Sequence, residues 1–243
     1  MPSFDQPWQP RLAWDSPAGQ VIDRLVDALP KDRPWELIIF GSAPLQLGLD
    51  PSFLSGDVDV ISPEDITGYC HAAGLLKGQA RIYVEPCTAT AFTASADWPV
   101  RACRCQRKHA TLLLPHPIDI LVSKIKRLEE KDLNAFRMVI AKTGHPTEAE
   151  LIAAVQRVVD IYRPSFDEES AGNPTANTRI LWQELFRKDI DVRQQIIAPA
   201  LALRQQSYGG SGRSLKQSLE TLGATATAPN QPGDPAEPKT NSP

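Results

Sequence analysis

The chain has 243 residues, with 26 lysines and arginines against 29 aspartates and glutamates, which gives a formal net charge of −3. An apolar fraction of 42% and a charged fraction of 23% are ordinary for a globular protein, and they exclude a strongly basic nucleic-acid binder. No apolar run approaches the roughly 18 to 20 residues of a membrane span, and the N-terminus lacks the blocks of a signal peptide. We therefore expect a cytoplasmic protein without membrane contact.

The apolar pattern predicts an α/β region up to about residue 115. Apolar residues at helical spacing predict a helix over 18–29, and a short helix is expected over 43–49. Short apolar or alternating segments predict strands at 36–40, 57–61, 80–87 and 110–114. Ser62-Pro63 is typical of a helix start, with serine as the N-cap and proline in the first turn.

From Pro117 onward the apolar spacing changes to the period of 3.6 that is typical of helices. It predicts three helical segments, at about 117–142, 148–162 and 175–204. Thr147 and Glu150 form a capping box that opens the second of these segments.

Residues beyond about 204 are rich in Gln, Ser, Gly, Thr, Ala and Pro, and they bury too little apolar surface to offset the entropy of ordering. We expect a disordered tail, with a partner-binding role as the alternative. The predicted organisation is an α/β core over 1–115, a helical region packed on the core over 116–204, and the tail over 205–243.

The chain has four cysteines, at positions 70, 87, 103 and 105. The close pair, Cys103 and Cys105, has C-x-C spacing, whereas a zinc site favours C-x-x-C together with histidine or a second pair. His71 and His109 are near in sequence, so a zinc site stays open as an alternative. The interpretation that we favour is a set of reduced, partly buried thiols.

The most informative pattern is a pair of acidic residues in one predicted strand, Asp57-Val58-Asp59. The two carboxylates point to the same face of the strand, roughly 6 to 7 Å apart, while Val58 points into the core. Neighbouring carboxylates repel unless a cation lies between them, and Mg²⁺ prefers oxygen ligands that it often shares with phosphates. The alternative is a solvent-facing strand edge, because Asp-x-Asp is frequent by chance.

Gly41 and Ser42 follow a predicted strand and precede a predicted short helix. Glycine allows the backbone to approach a phosphate closely, and a serine hydroxyl with exposed backbone N–H groups binds anions. A turn of this kind that precedes Asp57 and Asp59 predicts a metal-assisted site for phosphoryl or nucleotidyl transfer.

These residues resemble the nucleotidyltransferase superfamily, whose polymerase-β-like fold carries an apolar strand, Gly-Ser, a spacer and an apolar-flanked Asp-x-Asp; the spacer here has fourteen residues. A second segment contains His116-Pro117, Ser123-Lys124 and Lys131-Asp132-Leu133. It looks like a segment of small bacterial nucleotidyltransferases that include relatives of abortive-infection toxins. The two segments together cover about residues 36–140.

The resemblance implies an α/β (α+β) core with a mixed sheet and Mg²⁺-dependent, or Mn²⁺-dependent, transfer of a nucleoside monophosphate from an NTP. The acceptor would be a hydroxyl of tRNA, of a protein or of a small molecule, and an antitoxin-like protein partner would fit the family. Asp57 and Asp59 would hold the metal, and Glu85 would be the third catalytic carboxylate, with Asp97 as its rival. The alternative, from a different class, is a catalytically degenerate nucleotide-binding or structural module of the same fold.

Asp132 falls in the apolar stripe of the helix that is predicted across residues 118–140, with Lys124 and Lys131 at the border of the stripe. A buried carboxylate is costly unless it is paired, so one interpretation is a buried ion pair and the other is a border of the nucleotide cleft. Asp119 is expected on the opposite, exposed face, where it would stabilise the helix N-terminus. The residues expected to bind the nucleotide are Gly41, Ser42, Lys124, Lys131 and Asp132.

The basic segment 101–109 is open to two interpretations. It is a candidate path for RNA or phosphate. The interpretation that we favour is a solvated loop or the edge of a sheet.

Deleting residues 209–243 should leave the melting temperature nearly unchanged, because a segment of this composition buries little surface. Thermal unfolding of the full and the truncated chain by circular dichroism checks this expectation. A drop of several degrees would mean that the tail docks on the rest of the protein.

Overall fold

The computed structural model describes residues 6–162 and 173–206. Contacts divide the chain into two units, Met1–Ala200 and Leu201–Pro243, and the described part of the second unit, 201–206, is helical. The tail expected over 205–243 lies outside the described residues from position 207 onward. Within the described ranges, no helix has the length and apolarity needed to cross a membrane.

The first unit combines strands and helices. The strands are β1 (Trp35–Phe40), β2 (Asp57–Ile61), β3 (Tyr83–Cys87), β4 (Cys103–Arg107) and β5 (Ala110–Leu114). The helices are α1 (Pro17–Ala28), α2 (Ala43–Gly48), α3 (Thr67–Ala72), α4 (Trp98–Arg101), α5 (Pro117–Lys124), α6 (Glu130–Thr143), α7 (Glu148–Arg157) and α8 (Pro174–Phe186).

The strands form one mixed five-stranded sheet in the order β3-β2-β1-β5-β4. Pairing is parallel between β2 and β3 and between β1 and β5, and it is antiparallel between β1 and β2 and between β4 and β5. The α/β class with a mixed sheet, which the sequence predicted, is therefore confirmed.

One face of the sheet packs against α1 and α3 to form the first core. Val58 and Val60 of β2 are fully buried in this core, as the alternation of β2 predicted. Ser16 caps α1 by accepting a hydrogen bond from the backbone N–H of Gly19, and the apolar side of α1 faces the sheet. The opposite face of the sheet carries the polar side chains of β2 and β3.

A second core lies among the helices that follow the sheet. It is built around the large buried side chains of Phe136 and Trp182, and Leu45 of α2 reaches into it. The expected helix over 117–142 is in fact two helices, because the chain turns between Lys124 and Glu130, with Leu128 at a positive φ of 46°. Glu129 then caps α6, and the resulting capping box includes Asp132.

Two further expectations for the α/β region differ from the structure. The helix expected at Ser62-Pro63 begins only at Thr67, because Ser62 and Asp65 accept hydrogen bonds from backbone N–H groups two residues later and form turns. The strand expected at 80–87 begins at Tyr83.

The expectation that Asp119 is exposed and stabilises the helix N-terminus is wrong. It is only 6% exposed, and its carboxylate accepts hydrogen bonds from the Arg101 guanidinium at 3.1 and 2.7 Å. The guanidinium is buried as well and also bonds to Asp97 and Ser95. A helical wheel could not reveal this pair, because the segment that covers Asp119 is distant in sequence from α5.

Replacing Arg101 with methionine should destabilise the protein by about 3–5 kcal/mol, because it leaves the Asp119 carboxylate buried without its partner. The double variant Arg101→Met, Asp119→Leu should recover much of this loss. Urea unfolding measures both free energies. Arg104→Met is the matched control, since its partner Glu36 is exposed and such surface pairs contribute about 0–1 kcal/mol; an equal loss in the control would contradict the interpretation.

Candidate functional site

Three carboxylates meet on the open face of the sheet. Asp57, Asp59 and Glu85 each offer an oxygen, and these oxygens lie within 4.8 Å of one another. Asp57 and Asp59 are half-buried and Glu85 is exposed. The structure thus brings together the three acidic residues that were expected to form a catalytic set.

Strand alternation and register explain why these side chains meet. Val58 and Val60 are committed to the core, so Asp57 and Asp59 must point to the opposite face. Parallel pairing of β2 with β3 sets Asp59 directly beside Glu85. The rival for the third carboxylate, Asp97, instead pairs with Arg101 at 2.7 Å, and the hydrogen bond from Arg101 lowers the pKa of Asp97 to about 2.

The close approach of the three acids changes the pKa of Asp59. Burial, followed by the charges of Asp57 and Glu85, raises the pKa of Asp59 to about 6. The positive charges of Lys124 and Arg127 act in the opposite direction. A cation between the carboxylates would remove this electrostatic cost.

Gly41 lies immediately beside Asp59, at the end of β1. Its φ is +68°, and a Cβ at this position would sit 1.9 Å from Oδ2 of Asp59. The backbone conformation and the close approach therefore both require glycine. The neighbouring Phe40 is paired with Asp59 across the sheet, which fixes the Gly41-Ser42 turn at the carboxylates.

Lys124 connects this turn to the helical region. Its ammonium donates to Oγ of Ser42 at 3.2 Å and to Oδ1 of Asp132 at 3.1 Å. Of the expected nucleotide-binding residues, Gly41, Ser42, Lys124 and Asp132 are therefore linked by direct contacts to one another or to the acidic cluster.

Asp132 is fully buried, and its carboxylate accepts hydrogen bonds from Lys124, from Arg127 at 3.0 Å and from the backbone N–H of Glu129 at 3.0 Å. Burial alone would raise the pKa of Asp132, but the bonds from Arg127 and the charge of Lys124 outweigh it and lower the pKa. The interpretation of Asp132 as a buried ion pair is confirmed. The same pair borders the turn that holds Ser42.

Lys131 lies apart from this network. It is 64% exposed and its ammonium pairs with Glu129 at 3.4 Å. Arg127 contacts Asp132 instead, a role that the continuous-helix interpretation missed. Its spacing of five residues from Asp132 is not a helical contact distance, so only the break between α5 and α6 allows the pair.

Cys87 is a further neighbour that the sequence did not single out. Its Sγ lies 3.9 Å from Oδ1 of Asp59, at the end of β3. Burial and the charge of Asp59 raise the pKa of the thiol to about 11, so it stays protonated at neutral pH. The four cysteines are free thiols, and Cys70 is fully buried while the other three are half-buried.

The basic segment 101–109 contains the whole of β4, which lies at the edge of the sheet, as one interpretation predicted. Its positive charges pair with acidic residues of this chain: Arg101 with Asp119, Arg104 with Glu36, Arg107 with Asp23 and Lys108 with Asp27. These pairs disfavour a path for RNA along this segment.

Comparison of the chain with models of protein families, with curated proteins and with solved structures finds no match. The chemistry of the site therefore follows from its own geometry. A set of oxygen ligands suits a hard divalent cation, and the adjacent serine hydroxyl and ammonium suit an anionic group that shares the cation.

Asp59→Asn should stabilise the metal-free protein at about pH 8, by about 1–3 kcal/mol, because the ionised carboxylate is unfavourable in the folded state. With a folded pKa of about 6 against an ordinary 3.8, the contribution of Asp59 to stability is complete below pH 3.8 and is lost as the pH rises through 6. The advantage of the variant should therefore vanish near the acidic limit. Urea unfolding in EDTA at several pH values measures this difference.

Glu36→Gln is the control, because Glu36 lies on the same face of the sheet but is exposed and outside the acidic cluster. It should give no comparable gain at high pH. An Asp59→Asn variant that is no more stable than the wild type at about pH 8 would contradict the assigned cost.

Proposed function

We propose that the chain is a nucleotidyltransferase with a polymerase-β-like fold, which transfers a nucleoside monophosphate from an NTP to an acceptor hydroxyl. The observation that carries the proposal is the meeting of Asp57, Asp59 and Glu85 on adjacent strands, next to the Gly41-Ser42 turn. The turn precedes Asp-x-Asp along the chain. This order supports the resemblance to the nucleotidyltransferase superfamily, on which the proposal also draws.

The donor set supports Mg²⁺ or Mn²⁺ as the cofactor, because all three ligands are carboxylates. Asp57 and Asp59 would hold the metal, which would supply charge neutralisation and polarisation of the phosphate. The raised pKa of Asp59 supports this assignment, since the cluster is short of positive charge.

Ser42 and Lys124 are suited to the triphosphate. The Ser42 hydroxyl lies at the turn that Gly41 makes possible, and the Lys124 ammonium is held beside it. Asp132 fixes that ammonium from the other side, so the positive charge is oriented before a ligand arrives. Preorganised charge of this kind stabilises the negative charge that develops on a phosphate.

Glu85 is the most accessible of the three carboxylates, and it is suited to receive the proton of the acceptor hydroxyl. The acceptor oxygen forms a bond to the α-phosphorus, the bond between that phosphorus and the bridging oxygen breaks, and pyrophosphate leaves. A tRNA, a protein side chain and a small molecule all present such a hydroxyl, and the proposal extends to any of the three.

The proposal is tested by incubating the full chain with each α-³²P-labelled NTP, Mg²⁺ or Mn²⁺, and three acceptor pools: total tRNA, cell protein and small metabolites. We expect label in one pool. Asp57→Asn, Asp59→Asn and Glu85→Gln should each lower the labelling rate at least about 100-fold, because charge stabilisation of the transition state is lost. Lys124→Gln should lower it less, and Glu36→Gln should leave it unchanged.

A parallel thermal-shift measurement separates binding from catalysis. NTP with Mg²⁺ should raise the melting temperature of the wild type, NTP alone should raise it little, and the double variant Asp57→Asn, Asp59→Asn should lose the gain. Equal stabilisation by NTP without metal would overturn the metal site. Metal-dependent binding without label in any pool would favour the degenerate nucleotide-binding module.

A further inference from the structure

A cleft of about 710 Å³ opens on the side of the sheet away from the three carboxylates. Its walls come from α1, from the segment 54–56 that precedes β2, and from the segment 74–82 that precedes β3. This volume lies in the range of sites that bind small molecules, about 300–1,000 Å³. The cleft shares no residue with the acidic cluster.

Apolar groups form much of the lining. Val21 of α1 lines the cleft together with Leu54, Ala80 and Ile82. Leu54, which also lines the cleft, is 82% exposed. The apolar part of a ligand that binds here would therefore cover apolar surface that is otherwise exposed to water.

The charges of the lining have one sign. Two arginines, Arg24 and Arg81, contribute to it, and none of the lining residues is an aspartate or a glutamate. Arg24 donates a single hydrogen bond, to the carbonyl of Ala73 at 3.0 Å, which leaves its charge uncompensated. Among the described residues Arg81 has neither an ion pair nor a hydrogen bond.

The neutral polar side chains of the lining are already engaged. Gln20 donates to the carbonyl of Asp15, Ser55 donates to the carbonyl of Asp57, and Gln79 bonds to the backbone of His71 and Leu76. The guanidinium groups are therefore the charged donors that remain for a ligand. Each guanidinium has five N–H donors in a planar fork that matches a carboxylate or a phosphate.

We propose that this cleft binds a small organic anion, with an apolar body against Val21, Leu54 and Ile82 and a carboxylate or phosphate between Arg24 and Arg81. Eleven other arginines and lysines form ion pairs among the described residues, whereas Arg24 and Arg81 form none. The site is independent of nucleotidyl transfer, and its test does not use activity.

The first experiment titrates the full chain with 8-anilino-1-naphthalenesulfonate, a fluorescent probe with an aromatic body and one anionic group. We expect saturable binding that Arg24→Gln and Arg81→Gln each weaken about three- to tenfold, through loss of a charge-assisted bond. The neutral probe N-phenyl-1-naphthylamine should bind the wild type and both variants alike. Arg104→Gln, an exposed arginine on the other face of the sheet, should not change the affinity for either probe.

Both cleft variants should keep the melting temperature of the wild type, since neither arginine is buried. Displacement of the bound sulfonate by hexanoate and by hexyl phosphate, compared with hexanol, then defines the head group. Stronger displacement by either anion than by hexanol is expected. Binding of the sulfonate that neither arginine variant weakens, absence of saturable binding, or equal displacement by hexanol would overturn the proposal.

Discussion

The buried carboxylate of Asp132 is the constraint on which the arrangement of the candidate site depends. A charge with no exposure to solvent must be compensated on all sides, and here an ammonium, a guanidinium and a backbone amide do so. This requirement draws Lys124 and Arg127 toward one point between α5 and α6. The second contact of Lys124, with Ser42, then ties the helical region to the turn at the end of β1. One buried charge thus links the two cores of the first unit.

On the other side of the Gly41-Ser42 turn, the sheet determines where the acidic side chains of β2 point. The open face has room for carboxylates because the core takes every second residue of β2. The strain that results is electrostatic, and it falls on Asp59, whose pKa is raised by burial and by the charges of Asp57 and Glu85. Gly41 approaches this carboxylate more closely than any residue with a side chain could. The acids and the basic groups therefore face one another across a turn of two small residues.

Local patterns in the sequence were sufficient for much of this architecture. Polar and apolar residues alternate over 57–61, and residues 36–40 form a mainly apolar segment. Both segments are strands in the structure, because burial on one or both faces leaves little choice of register. Glu85 could be named as a partner of Asp57 and Asp59 from its place in a predicted strand. No local pattern predicts that β2 pairs with β3. This pairing places Glu85, rather than Asp97, beside Asp57 and Asp59.

The helical region shows the limit more clearly. The apolar stripe is continuous across residues 118–140, yet the chain turns at Leu128, because a capping box and a buried ion pair together outweigh helix continuation. As a result Arg127, for which the sequence predicted no role, contacts Asp132, whereas Lys131 pairs with Glu129. The expectation of an exposed Asp119 was wrong for a related reason. Its partner Arg101 comes from a separate segment, and the contact between this segment and α5 forms only in the tertiary structure. The cleft between α1 and the loops also has no signature in the sequence, since its walls are three separate segments.

The elevated pKa of Asp59 means that the acidic cluster is also a proton-binding site. Near pH 6 about half of the molecules hold a proton on this carboxylate, and any cation that binds between the acids must expel it. Occupancy by a metal and occupancy by a proton are therefore mutually exclusive at this position. The heat measured when a cation binds will accordingly include the heat of protonating the buffer, and the apparent affinity will weaken as the solution becomes more acidic.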